Sequence, residues 1–278
     1  MLQQTRVAVV RDYYARFLGR FPTIEKLAAA REASVLAVWS GLGYYRRARM
    51  LHTAAKVIIQ EHGGKFPRTA AAISDLPGIG RYTAAAIASI AWNEPVALVD
   101  GNVERVVKRM LRKASGGEDV WRSAQQLLDT RRPGDFNQAM MELGATICTP
   151  QSPRCAACPV ARFCRARGHF PITAKKEIRQ KKEIHYQLNR LAGSIFLIRR
   201  PPSASLMPGF WELPQLETPN GNQELFTVRH SITVTDYTVH VSEGSEKRDS
   251  GRWITRSKLA TLPLTGLTRK ILRRAEII

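Results

Sequence analysis

Cys148-Thr149-Pro150-Gln151-Ser152-Pro153-Arg154-Cys155-Ala156-Ala157-Cys158-Pro159-Val160-Ala161-Arg162-Phe163-Cys164 holds all four cysteines of this 278-residue chain, in the spacing C-x6-C-x2-C-x5-C. Thiols this crowded, with no cysteine elsewhere, point to one metal or cluster site rather than to a disulfide framework. A structural zinc site usually pairs two tight knuckles around a tetrahedron. Only Cys155-Ala156-Ala157-Cys158 is tight here, and the wider flanking gaps suit a [4Fe-4S] cube held by four thiolates. Zinc, or thiols without a metal, are the other readings the spacing allows.

Working toward the N-terminus, residues 1–147 read as helical. Apolar residues recur at three- and four-residue intervals in Leu27–Trp39, Ala48–Ile59 and Tyr82–Ala91. Breakers such as Phe21-Pro22, Gly63-Gly64, Pro77-Gly78 and Pro133-Gly134 separate them. Leu76-Pro77-Gly78-Ile79-Gly80-Arg81-Tyr82 has the character of a helix-hairpin-helix turn, whose glycines let backbone N–H groups approach a phosphate at the next helix start. Asp100 in Val99-Asp100-Gly101-Asn102-Val103 opens another helix, where an aspartate is ordinarily a cap.

Toward the C-terminus the composition shifts. Residues 168–189 carry Lys175, Lys176, Arg179, Lys181 and Lys182 with little apolar content, and read as a basic linker. From residue 190 the period becomes that of strands, in Leu191–Ile198 and Phe226–Val241, giving a smaller α+β domain over 190–278. The formal charge of +20 implies a polyanionic partner, most economically nucleic acid. No apolar run approaches the ~18 residues of a spanning helix, so a membrane protein is not expected. Free thiolates fit a reduced, cytoplasmic setting.

The cysteine spacing, directly after Phe136-Asn137-Gln138-Ala139-Met140-Met141-Glu142-Leu143-Gly144, resembles the iron–sulfur DNA glycosylases of the endonuclease III superfamily, and in particular the adenine DNA glycosylase (MutY) family. The resemblance covers Met1 to about Arg167 and resumes more weakly from about Arg190. It implies a helix-hairpin-helix glycosylase domain over 1–167 with a [4Fe-4S] loop at 148–164, followed by a Nudix-like domain. The implied activity is hydrolytic removal of adenine mispaired with 8-oxoguanine or guanine. The implied partner is double-stranded DNA carrying adenine mispairs, bound by a nucleoid-associated monomer.

The resemblance also assigns residues. Asp100 becomes the carboxylate that stabilises an oxocarbenium-like sugar, with Asn102 beside it. Tyr82 stands where strand-cleaving relatives carry a Schiff-base lysine, so the lyase nucleophile is absent. Gly78 and Gly80 shape the phosphate-binding hairpin. Gln4 and Tyr44 would fill the hole left by an extruded base, with Thr5 and Leu42 near the opposing base. Gln138 matches the reader of the extruded adenine. In the second domain Ile232, Thr233 and Val234 fall where the family reads 8-oxoguanine with an aromatic–hydroxyl–histidine triplet. Only the Thr233 hydroxyl is kept, so weak discrimination from guanine is expected. No acidic Nudix box occurs, so nucleotide hydrolysis is not expected. The family's proton-donating glutamate would lie two residues before Met1, and a start further upstream is expected. Without that glutamate the chain has a second reading, a non-catalytic mismatch-binding protein. A third, an endonuclease III-type pyrimidine glycosylase, is opposed by Tyr82 and by the second domain.

Overall fold

The computed structural model describes residues 1–2, 5, 7–112, 116–166, 179–218, 221–232, 234–244 and 251–278. Gln4 and Thr233 therefore lie outside the described residues, as does the first half of the expected basic linker. The chain forms two compact units, one of Met1–Ile59 with Glu177–Ile278, the other of Gln60–Lys176. This differs from the division expected from the sequence, in which residues 1–167 form one domain.

The first unit begins with helices α1 (Val7–Arg20), α2 (Ile24–Ala28), α3 (Glu32–Trp39) and the start of α4 (Arg46–Glu61). The stretch expected to be one helix from Leu27 to Trp39 is interrupted at residues 29–31. Thr23 starts α2 by accepting a hydrogen bond from the Lys26 amide. Phe17, Phe21, Trp39 and Tyr45 form an aromatic core, joined by Phe210 from far along the chain. Phe17 meets Phe21 and Trp39 edge-on, and Tyr45 lies 4.3 Å from Phe210 between ring centroids. The buried Ser40 hydroxyl donates to the Leu264 carbonyl at 2.6 Å. Residues distant in sequence thus share one hydrophobic interior.

The same unit carries a mixed sheet of β1 (Gln180–Leu191), β2 (Ser194–Arg199), β3 (Trp211–Glu212), β4 (Gln215–Leu216), β5 (Glu224–Ile232), β6 (Thr235–Gly244) and β7 (Gly251–Thr255). Its main path runs β3-β2-β1-β6-β5, with β4 on β1 and β7 on β2. β1 and β6 run parallel, from Gln180 opposite Thr235 to Asn189 opposite Gly244. Residues 180–189 are therefore strand, not linker. Their first four side chains are exposed, which explains why the composition reads as a tether. Leu188, Leu197, Val239 and Val241 turn inward. Helices α10 (Arg256–Leu259) and α11 (Gly266–Arg274) cover them with Leu259, Leu267, Ile271 and Leu272.

The second unit contains α5 (Ala70–Ser74), α6 (Arg81–Trp92), α7 (Gly101–Leu111), α8 (Glu118–Leu127) and α9 (Pro133–Glu142), then a π-helical turn over Leu143–Ile147. Alanines 84, 85 and 88 keep α6 narrow. A Cβ on Gly134 would lie 2.8 Å from the Ser89 carbonyl oxygen, so glycine lets α9 meet α6 closely. Pro133 begins α9, where its missing N–H costs nothing. Asn137 closes the contact, donating from Nδ2 to the Ser89 hydroxyl and Val96 carbonyl.

Candidate active site and cluster loop

In the second unit the hairpin turn comes first. Gly78 sits at φ 80°, a conformation natural to glycine, and Gly80 precedes α6 with no side chain to close its first amides. Two residues later, the half-buried Tyr82 donates from its hydroxyl toward Met141 Sδ at 3.5 Å. Burial, and then the nearby Asp100 charge, raise the Tyr82 phenol above its ordinary pKa. The structure thus brings Tyr82 and Asp100 together, and Tyr82 stays neutral at any physiological pH.

Asp100 caps α7, as its sequence position suggests. Its Oδ1 accepts from the amides of Asn102 at 2.9 Å and Val103 at 2.7 Å. Its Oδ2 accepts from Asn102 Nδ2 at 3.3 Å. One oxygen is held by the helix start and the other by a side-chain amide, so the carboxylate is fixed in direction.

The sequence reading missed what lies behind Asn102. Its Oδ1 accepts from Arg105 Nη2 at 2.8 Å. Arg105 also donates to the Gly144 carbonyl at 2.6 Å and, from Nε, to the Cys148 carbonyl at 2.8 Å. One turn further, Arg109 donates to Cys148 Sγ at 3.3 Å and to the Thr149 and Pro150 carbonyls. Asn102, Arg105 and Arg109 fall on one face of α7, a helical spacing that could have flagged them. Gly144 makes this approach possible, because a Cβ there would lie 2.7 Å from Asn102 Cβ.

The π-turn delivers Cys148, whose amide donates to the Leu143 carbonyl at 2.7 Å. Cys155 and Cys158 span one 3-10 turn, and Cys164 ends another. All four cysteines, with Ile147, Pro153, Ala156 and Ala161, line one cavity of about 450 Å³. Among the described residues no three His, Cys, Asp or Glu side chains converge on a point that would hold a single ion. Four thiols around a shared, largely apolar cavity fit a multi-iron cluster, and the donor set is the one such a cluster takes. Cys148, Cys155, Cys158 and Cys164 would hold it, with Arg109 placed to offset thiolate charge.

In the first unit Tyr44 is 56% exposed and held at φ 48°, an uncommon conformation for a side-chain-bearing residue. Arg47 supports it from below, with its guanidinium carbon 5.2 Å from the Tyr44 ring centroid. The same guanidinium donates to Thr5 Oγ1 at 3.1 Å and to the Met1 carbonyl at 2.9 Å. The Thr5 and Tyr44 loops are thereby joined through a residue that sequence reasoning did not single out. Leu42, expected near the opposing base, is 7% exposed and packs in the aromatic core. Gln138 is exposed on α9, and its Nε2 donates back to the Gly134 carbonyl at 3.2 Å. Ile232 and Val234 flank the β5–β6 turn.

A carboxylate locked at a helix start next to a glycine hairpin, with a four-thiol loop behind it, is the arrangement of a base-excision fold. Residues 1–128 match the family model described as HhH-GPD superfamily base excision DNA repair protein, and residues 148–164 match the iron-sulfur binding domain of endonuclease III. A thermostable thymine-DNA glycosylase of known structure is similar at 30% identity and a TM-score of 0.57, over 60% of this chain and 79% of that one. The chain belongs to the HhH-GPD superfamily of base excision DNA repair proteins. Among curated relatives, adenine DNA glycosylase of Mus musculus is 52% identical over 175 residues, covering 60% of this chain and 34% of that protein. Adenine DNA glycosylase of Arabidopsis thaliana is 39% identical over 280 residues, covering 84% of this chain and 44% of that protein. The chain spans between 32% and 60% of the length of the curated relatives it matches. Among the described residues no helix is long and apolar enough to cross a membrane.

Proposed function

We propose that this chain is a monofunctional adenine DNA glycosylase, acting in base excision repair on adenine opposite 8-oxoguanine or guanine. The observation that carries this reading is the fixed Asp100 carboxylate facing a neutral Tyr82 rather than an amine. When the N-glycosidic bond breaks, positive charge grows on the deoxyribose, and a preorganised carboxylate stabilises it without needing to reorient. A phenol forms no Schiff base, so water completes the reaction and the strand stays whole.

The other residues take roles consistent with their positions. Gly78 and Gly80 present backbone amides to a phosphate. Tyr44, braced by Arg47, enters the stack where the base has left, with Gln4 and Thr5 beside it. The exposed Gln138 meets the extruded adenine once its amide leaves Gly134. Asn102 orients Asp100. The iron–sulfur cluster, when bound, organises the 148–164 loop. Glycosylase chemistry is assigned to residues 1–167, while the C-terminal sheet is assigned to a Nudix-like domain in which Thr233 would read the opposing base. The protein acts as an intracellular monomer.

Single-turnover assays on a duplex with one adenine opposite 8-oxoguanine test this. Adenine release without strand cleavage, abolished in Asp100→Asn while binding persists, is the expected result. The second reading is a non-catalytic mismatch-binding protein. Tight binding with no release by the unaltered chain would establish that second reading.

A further inference from the structure

Helices α1 and α11, both in the first unit, carry Arg16, Arg269 and Arg273, none of which forms an ion pair among the described residues. Arg269 is half-buried, and its Nε is fully buried with no hydrogen-bond partner. Its stem packs into the Gly41 turn, where a Cβ on Gly41 would lie 3.7 Å from Arg269 Cδ. Burial lowers its pKa, and the neighbouring Arg273 and Arg16 charges lower it further, against the tyrosines 13 and 45. Arg16 stacks on Tyr13 with its guanidinium carbon 4.4 Å from the ring centroid. Both tyrosine hydroxyls are tied to backbone: Tyr13 donates to the Ser40 carbonyl at 3.1 Å, and Tyr45 accepts from the Gly41 amide at 3.1 Å.

Several arginines elsewhere have carboxylate partners. Arg49 pairs with Glu32, Arg81 with Glu118, Arg179 with Asp236, and the part-buried Arg200 with Glu212. Among the described residues no carboxylate forms an ion pair with Arg16, Arg269 or Arg273. Asp12, the acid of α1, is met only through its backbone carbonyl, which accepts from Arg16 Nε. Gathering like charges around a desolvated guanidinium is unfavourable unless an anion completes the site.

We propose that Arg16, Arg269 and Arg273 form a phosphate-binding site on the face shared by α1 and α11. A buried guanidinium packed against the Gly41 turn, with Arg16 held on the adjoining Tyr13 and Arg273 one turn along α11, suits a multiply charged acceptor better than a single carboxylate, which one planar fork already satisfies. The Gly41 turn that packs on Arg269 continues into the exposed Tyr44, so the phosphate is one of a duplex backbone gripped beside that side chain. This last step rests on the DNA-binding reading above; the phosphate chemistry does not.

The test uses a fully paired duplex, so that it is independent of adenine excision. In the full chain, phenylglyoxal modification of Arg16 and Arg273, read by mass spectrometry, should be blocked by the duplex. Arg269→Gln/Arg273→Gln should weaken duplex binding several-fold, equally with and without a mispair. It should also flatten the slope of log K against log salt by about 0.9 for the one phosphate lost. Arg190→Gln, which removes an exposed arginine already paired with Glu243, should leave that slope unchanged. A second arm titrates inorganic pyrophosphate. Protection by pyrophosphate but not by duplex would assign the site to a free phosphate compound. No protection by either, or protection by polyglutamate alone, overturns the proposal. The modification experiment needs only the unaltered protein, so it decides even if the double variant fails to fold. Loss of adenine excision with protection intact would count against the glycosylase reading alone.

Discussion

Gly144→Ala places a methyl group where the chain has no room for it. The added Cβ would stand 2.7 Å from Asn102 Cβ and 3.0 Å from the Asn102 carbonyl carbon and oxygen. Carbon atoms pack comfortably at about 3.5–4.0 Å, so the π-turn and the start of α7 must separate by roughly 0.8 Å or more. Two of the three nearest atoms are backbone, which cannot swing aside. Overpacking of this kind costs about 1–3 kcal/mol, and a unit of this size loses roughly 4 °C or more of melting temperature per kcal/mol. The strain falls on the turn that aims Asp100. A displacement of ~1 Å in a positioned group can cost ~100-fold in rate, so adenine excision should fall by one to two orders of magnitude. Iron content should stay at the unaltered level, because no thiol is touched. Gly101→Ala is the control from the same turn: it meets nothing within 4 Å and should hold or gain stability. Calorimetry and single-turnover excision on both variants decide. If Gly144→Ala melts and reacts like the unaltered protein, the close approach does not position the carboxylate and the argument fails.

Cys158→Ser should yield protein lacking the broad visible absorbance of a cluster; full iron retention would show that three thiols suffice. Arg47→Ala should weaken binding to a mispair and slow excision, since it frees Tyr44 and Thr5 together. An unchanged dissociation constant would remove Arg47 from that role. Arg200→Ala strands the part-buried Glu212 carboxylate, whose pKa burial already raises, and should cost about 1–3 kcal/mol. Arg200→Met with Glu212→Gln should recover most of it, and denaturant unfolding measures both. Burial, aided by Lys270, lowers the His230 pKa. The unfolded chain therefore takes up a proton first, so stability is full above a pH of about 6.5 and declines as pH falls below it. His230→Gln should flatten that decline; an identical pH profile would mean another group causes it.

The parts of the site legible in the sequence are those whose chemistry is local. Four thiols in one loop, two glycines before a helix and an aspartate at a helix start declare themselves within a few residues. Arg105 and Arg109 are harder to read: their spacing puts them on one helix face with Asn102, but in a chain of charge +20 that spacing alone does not single out which arginines turn inward. Leu42 shows the converse: a loop leucine between glycines looks presented, yet it packs in the aromatic core. The second half of the expected linker is strand, because β1 joins β6 through backbone while its first side chains stay in water. The pairing of the N-terminal helices with the C-terminal sheet depends on Phe210 and Leu264, and no periodicity links residues so far apart.

That pairing sets an order for synthesis. The aromatic face of α1 to α4 is complete when residue 59 leaves the ribosome, but Phe210 arrives about 150 residues later. At ~5–20 residues per second the wait is ~10–30 s. Meanwhile residues 60–176, a contiguous stretch with their own interior, are free to fold and gather their four thiols. The nascent chain thus carries a finished middle and an unsatisfied beginning. During that interval the first helices expose an apolar face, and truncations just short of Phe210 should aggregate where the 278-residue chain does not.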